Sequence, residues 1–493
     1  MRLLPLIILA AVVGAFFVIL TVARGPIDAD YWWHLTTGDL IVNGGSSFGV
    51  DPYSFAYDGP WVMHEWLGEV VIYVLVSRIG YPITAALFGL AAAGSLIVPA
   101  YVLFRRGIPV RALLPFVAIG AYTLASFTTV RPQVLSWLLL AVVIVLLMQL
   151  HPQQRLRPWL LPPLFVLWAN VHGLWVIGLA ILAVYSAFTL FGRTPMAARR
   201  GSWLAVTMAS VAGSALTPAG VEGFLYPLRY LSRDDWGTSF IAEWQPADVS
   251  DPRQWGLILL AVAAVLLVRR GSTGWLAAVA ALGLVAGFVA VRNQPLTAIM
   301  TMPTLALALA SRFRIGSHGA LPTADLRRAV LEVGLAVIVV AAFLVVLPRA
   351  VEGSEASAYP VVAFDELVKI DPDARLFVDY DWGGYAIHRM HPTDGLVFID
   401  GRSDMYPRRV FEDYLAIRSA SDVWQALVAE YRIGAMLLPP TAPIVAAALE
   451  SGWCAAHADE RAVVLLPCSK VSWAAHHSWS APIRIQTEAS GSL

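Results

Sequence analysis

The chain has 493 residues, 58% of them hydrophobic and 14% charged, with a mean hydropathy of +0.67. That composition excludes a soluble globular protein and describes a polytopic membrane protein. Lysine plus arginine equals aspartate plus glutamate at 34 each, so the net charge is zero and no basic surface exists to neutralise a nucleic-acid backbone.

The first apolar run, Leu3 to Val22, follows Arg2 and is about 20 residues long, which suits a retained membrane span better than a signal sequence. Further runs at 81–104, 112–128, 133–150, 158–171, 173–191, 203–217, 254–268, 275–291, 295–311 and 329–348 predict about 11 spans. With the N-terminus inside, Arg105, Arg106, Arg111, Arg155, Arg157, Arg193, Arg199 and Arg200 collect on the cytoplasmic side, as arginines near span ends should. The same rule makes 158–191 a hairpin turning at "NVHG". It also makes Trp66–Ile79 a helix lying on the outer surface ahead of the span 81–104. The transmembrane domain is therefore 1–348, with external loops 23–80 and 218–253.

An odd number of spans leaves 349–473 outside. There the strand-like runs "RLFVDY", "LVFID", "AMLLPP" and "AVVLLP" alternate with helical stretches, the signature of a small α/β domain. Both cysteines, Cys454 and Cys468, fall in this region, either paired, as an oxidising compartment allows, or as two buried thiols. Residues 474–493 read as a disordered tail.

On this topology the unusual polar residues share one face. Asp28, Asp30 and His34 follow the first span, and Asp51, His64 and Glu65 complete its loop. Arg131 ends a span, Asn170 and His172 form the hairpin turn, Glu243 lies in loop 218–253, and Arg292 and Asn293 end the ninth span. Ionisable groups at membrane depth are costly, so a one-sided cluster is a candidate site. Acids hold a divalent cation or act as general base, and two arginines clamp a phosphate. Each residue also has a plain structural reading. Asp30 is a helix cap, Trp32 and Trp33 belong to an interfacial aromatic belt, Asp51 before Pro52 is a turn residue, and His172 and Arg131 sit at element ends. No zinc-type His/Cys spacing, P-loop or dinucleotide-binding glycine pattern is present.

Three segments carry a resemblance to a family. "DADYWWHL" followed by "VDPYSF", then "TSFIAEWQP" with Glu243, then "DYDWGGYAIH" from Asp379 to His388, are similar in kind and order to motifs of the GT-C superfamily of membrane glycosyltransferases, and locally to the oligosaccharyltransferase catalytic subunit. The third departs from the family's WWDYG acceptor motif, since the aspartate precedes a single tryptophan and glycine replaces the tyrosine. The resemblance implies an inverting enzyme of a bacterial inner membrane. It would use a sugar carried on polyprenyl phosphate and an acceptor that is a glycan, lipid or protein, with the C-terminal domain periplasmic.

In that reading Asp30, Asp28 and Glu65 are catalytic, and Asp30, Asp51 and Glu243 hold a divalent cation such as Mg or Mn. Arg131, His172, Asn170, Arg292, Asn293, His64, Trp382 and Tyr385 bind substrate. Two other classes remain open at this point. One is a transporter or flippase of a lipid-linked saccharide, and the other a non-catalytic envelope-assembly protein for which "VFIDGRSDMYPRR" would be the binding patch.

Overall fold

The computed structural model describes residues 3–44, 48–229, 241–268, 274–314, 355, 357–391 and 393–470. The chain forms two compact units that do not follow sequence order. The first comprises Met1–Pro52, Asp58–Tyr359 and Arg402–Arg408, and the second Tyr53–Tyr57, Pro360–Gly401 and Arg409–Leu493.

The first unit is helical: α1 (Leu4–Arg24), α2 (Ala29–Asp39), α3 (Trp66–Arg105), α4 (Val110–Ala125), α5 (Pro132–Met148), α6 (Leu161–Val171), α7 (Trp175–Leu190), α8 (Arg200–Ser214), α9 (Gly220–Arg229), α10 (Trp255–Leu267), α11 (Trp275–Val289) and α12 (Gln294–Arg312). The predicted apolar runs from 4–22 to 295–311 all fall on these helices, while 329–348 and the tail 474–493 lie outside the described residues. α1 packs on α3, α3 on α5, and α12 on α11 and α4.

The break expected between Trp66–Ile79 and 81–104 is present. Within α3 the backbone leaves the helix at Gly80, with φ 79° and ψ 163°. Residues with a Cβ avoid that region, and Pro82 just beyond restarts the helix because its missing N–H is not needed in a first turn. The hairpin is also present, since α6 stops at Val171 and α7 begins at Trp175.

Among the described residues α1 and α3 alone are long and apolar enough to cross a bilayer, α7 and Pro195–Ser214 reach that length only as a pair bent by 74°, and four more apolar helices are shorter. A helix needs about 20 residues to cross hydrocarbon upright. Hydropathy marked where these helices lie.

The second unit is an α/β layer. Strands β1 (Arg375–Val378), β2 (Leu396–Val397), β3 (Ala435–Leu438), β4 (Trp453–Ala458) and β5 (Val463–Pro467) form one sheet in the order β2-β1-β3-β5-β4. β1 runs parallel to β2 and β3, and β5 antiparallel to β3 and β4. The central strands read as unbroken apolar runs because their residues are buried on both faces. The partly buried strand β4, "WCAAHA", lacks that pattern and was not visible in the sequence. The first loop supplies an added strand segment: Ser54 bridges Val397 in parallel, with Phe55 N donating to Val397 O at 3.1 Å. A disulfide joins Cys454 in β4 to Cys468, the residue that follows β5.

Candidate active site

The site in the first unit is built from the start of α2. Asp28 is the N-cap of that helix. Its Oδ1 accepts from the Asp30 N–H at 3.0 Å, and its Oδ2 from the Thr129 hydroxyl at 2.7 Å. This corrects the reading of Asp30 as the cap. Asp30 lies in the first turn, where its Oδ1 accepts from Trp33 Nε1 at 3.1 Å and its Oδ2 from the Arg131 guanidinium. The tryptophans are corrected too. Trp32 and Trp33 are only 6% and 7% exposed, so they are packed inside the protein rather than anchored at an interface. The indole N–H of Trp32 goes to Pro26 O, and the Trp33 ring lies 3.7 Å from that of His34.

Arg131 caps α5 in an extended conformation that the following Pro132 enforces. Besides Asp30, its Nη1 is 3.7 Å from Asp28 Oδ2 and 3.5 Å from Glu243 Oε1. Burial works against the charge on Arg131, but these carboxylates overcome it and raise the guanidinium above its ordinary value. Burial raises the Asp30 carboxyl, against the pull of Arg131. Glu243 comes close because its loop pairs with the end of α11: Val291 N donates to Gln245 O at 3.0 Å and Ala247 N to Phe288 O at 3.1 Å. The same pairing sets Arg292 over the Trp244 ring at 4.2 Å, and Asn293 Nδ2 donates to Ala286 O.

A second group of ionisable side chains surrounds Glu65, the residue before α3. Its Oε1 is 2.9 Å from His64 Nε2 and 3.9 Å from His172 Nε2, and its Oε2 is 4.0 Å from His34 Nε2. His34 Nδ1 in turn is 3.5 Å from Glu69 Oε1. Gly68 makes this gathering possible. A Cβ there would lie 2.7 Å from both the Pro132 ring and the Val171 carbonyl, so only glycine lets α3 approach the ends of α5 and α6 that carry Arg131 and His172. Burial lowers the pKa of His64, yet Glu65 overrides it and pushes the ring up to about 9. His172, where burial wins, is pushed down to about 3. The neutral His172 accepts at Nδ1 from Leu174 N, which leaves its Nε2–H toward Glu65.

Two residues of this neighbourhood come from beyond the predicted site. Asp404, in the segment Arg402–Arg408, accepts from the Tyr226 hydroxyl, and the Tyr226 ring lies 4.9 Å from His64. Burial raises the Asp404 carboxyl. Its segment had been singled out in the sequence only as a surface patch, and Tyr226 carried no signal.

Other expected residues are placed differently. Asp51 is engaged by Arg402 rather than by the Asp30 group. The Asn170 amide is spent on structure, with Oδ1 accepting from Trp66 Nε1 and Nδ2 donating to the Val166 and Leu216 carbonyls. Trp382 and Tyr385 belong to the second unit, where Tyr385 is fully buried against Phe364 and is a core residue.

The residues expected to hold a divalent cation do not fit one. Among the described residues no group of three His, Cys, Asp or Glu is arranged to hold a metal ion. The space between Asp28, Asp30 and Glu243 is filled by the Arg131 guanidinium, and Asp51 is committed to Arg402. The positive charge at this site is the Arg131 guanidinium.

The chain is similar to the crystal structure of the Archaeoglobus fulgidus oligosaccharyltransferase in the apo form, with a TM-score of 0.54 and 13% identity over 87% of this chain and 69% of that one. A structure of the same protein with Zn and sulfate gives a TM-score of 0.46 over 87% and 68%. No protein-family model and no curated protein matches the chain. At this identity the likeness establishes a shared fold.

Proposed function

We propose that the protein is an inverting membrane glycosyltransferase that takes a sugar from a polyprenyl-phosphate-linked donor at the periplasmic face of a bacterial inner membrane. The observation that carries this reading is the single Arg131 guanidinium held by Asp28, Asp30 and Glu243 beside the Glu65 histidine group. A preorganised guanidinium binds phosphate oxygens with two parallel hydrogen bonds and stabilises the charge a departing phosphate gains. Asp30 sets the position of that guanidinium, and Arg292 supplies a second cation for the donor. The fold shared with an oligosaccharyltransferase supports the choice of a saccharide as the group transferred.

The test is transfer of a labelled sugar from polyprenyl-phosphate donors to membrane acceptors by the purified protein in liposomes. Transfer that falls about 100-fold in Asp30→Asn supports the reading. Equal transfer by wild type and variant, or movement of the labelled lipid between leaflets with no new glycosidic product, contradicts it.

A further inference from the structure

Glycosyl transfer to a hydroxyl needs a group that takes the acceptor's proton, and hydrogen-bond accounting identifies which acid is available for it. Both oxygens of Asp28 accept hydrogen bonds, from Asp30 N and Thr129. Both oxygens of Asp30 do so as well, from Trp33 and Arg131. Glu243 faces Arg131, and Asp404 Oδ2 accepts from Tyr226. Glu65 differs from Asp28 and Asp30 in having an oxygen with no hydrogen bond, and from Glu243 and Asp404 in having the buried His34 behind that oxygen. Its Oε1 is held by His64 at 2.9 Å, while its Oε2 has its nearest basic neighbour, His34 Nε2, at 4.0 Å, beyond hydrogen-bond length.

Behind Glu65, the His34 ring stands between two carboxylates, with Nε2 toward Glu65 and Nδ1 toward Glu69 at 3.5 Å. His34 and Glu69 are each 1% exposed, and His34 Nδ1 and Glu69 Oε2 are buried without a hydrogen-bond partner. Unsatisfied buried polar atoms are costly, and a structure that keeps two of them facing one another's side chains is arranged for a proton to move there. An imidazole with a carboxylate at each nitrogen takes a proton on one side and releases one on the other.

We propose that Glu65 is the general base of the transfer and that His34 passes the proton on to Glu69. This rests on the glycosyltransferase reading of the site. The acceptor oxygen forms its bond to the anomeric carbon as the bond from that carbon to the phosphate oxygen breaks. The electron pair leaves with the phosphate, next to Arg131, and the acceptor's proton goes to Glu65 Oε2. Proton transfer from Glu65 to His34 Nε2 and from His34 Nδ1 to Glu69 leaves Glu65 ionised, and return of that proton through His34 and Glu65 to bulk water once product has left resets all three groups. His64 keeps Glu65 ionised between turnovers, and Asp30 positions Arg131 without accepting the proton. His34 and Glu69 are positioning residues for the base.

The experiment measures kcat and the KM for labelled polyprenyl-phosphate donor in wild type, Glu65→Gln, Glu65→Asp, Glu69→Gln and Asp30→Asn between pH 5 and 9. Glu65→Gln should lower kcat about 100-fold or more with the donor KM within about threefold, whereas Asp30→Asn should act mainly on the donor KM. Glu65→Asp, which keeps the carboxylate, should recover part of the rate, and this separates lost chemistry from lost folding. Glu69→Gln should change the shape of the pH profile. That profile reports Glu65 together with the groups facing it, His64, His172, His34, Asp404, Arg131 and Glu69. Glu65→Gln with more than about one third of the wild-type kcat, or Gln and Asp variants equally slow with the wild-type pH profile, overturns the proposal alone. A wild-type protein with no turnover of any donor overturns the glycosyltransferase reading as well.

Discussion

Asp51 and Arg402, 351 positions apart in the chain, form a fork-like ion pair in the first unit, with Arg402 Nη1 2.6 Å from Asp51 Oδ1 and Nη2 3.4 Å from Oδ2. Both side chains are 1% exposed, and the guanidinium lies over the Trp61 ring at 4.5 Å. Removing one partner strands a buried charge, so Arg402→Ala should cost about 3–5 kcal/mol. Lysine cannot reproduce the planar fork or the stacking, so Arg402→Lys should restore little of it. Chemical unfolding of Arg402→Ala, Asp51→Asn and the double variant measures the coupling. The double variant should lose clearly less than the sum of the singles, and strict additivity would show the pair to be energetically idle.

The two acids at the start of α2 should separate by substitution. Asp28→Ala removes a helix cap and the acceptor for Thr129, and its effect on the unfolding midpoint should correspond to about 1 kcal/mol. Asp30→Asn keeps the acceptor for Trp33 but deprives Arg131 of its bonded carboxylate, so it should change phosphate-ligand affinity more than stability. Binding of a polyprenyl phosphate measured alongside unfolding distinguishes them. Equal stability losses with unchanged binding in both variants would contradict these roles.

The histidines around Glu65 give stability a pH window. His64 is pushed up to about 9 from 6.5, so its contribution is fully present below pH 6.5 and is lost as the pH rises through 9. His172 is pushed down to about 3, so its unfolded ring takes up a proton that the folded ring refuses. Its contribution is present above pH 6.5 and is lost as the pH falls toward 3. The unfolding temperature followed against pH should therefore be maximal near pH 6.5 and fall on both sides. His64→Gln should flatten the alkaline side alone, and a variant that keeps the wild-type alkaline slope would refute the assignment.

Arg131 in place of a cation makes a prediction about metals. Dialysis against EDTA, or excess Mn ions added afterwards, should leave the unfolding midpoint of the wild type unchanged, because a ligand that binds only the folded state raises that midpoint. A rise with Mn that disappears in Asp30→Asn would show that the carboxylates bind metal after all.

Much of this architecture was legible in the sequence because its signals are local. Apolar runs located the helices, the placement of arginines set the break in α3 ahead of residue 81, and unbroken apolar runs such as "AMLL" marked the central strands. The gathering of Asp28, Asp30, Arg131 and Glu243 followed from placing helix ends on one side. What was missed depends on packing that no local pattern encodes. Which aspartate caps α2 turns on a single backbone torsion, since both candidates precede the same helix. The tryptophans are hydrophobic enough for an interface or a core, and only their neighbours decide. Asp404 and Arg402 join the first unit through a segment more than 320 residues beyond the end of the first loop, and Glu69 carried no signal of its own within Trp66–Ile79.

The central claim, glycosyl transfer at a guanidinium held by carboxylates, is tested most directly by sugar transfer from a polyprenyl-phosphate donor in proteoliposomes of wild type and Arg131→Ala. The account predicts a glycosidic product with wild type and a rate at least about 100-fold lower with the variant. A variant as active as the wild type would contradict it.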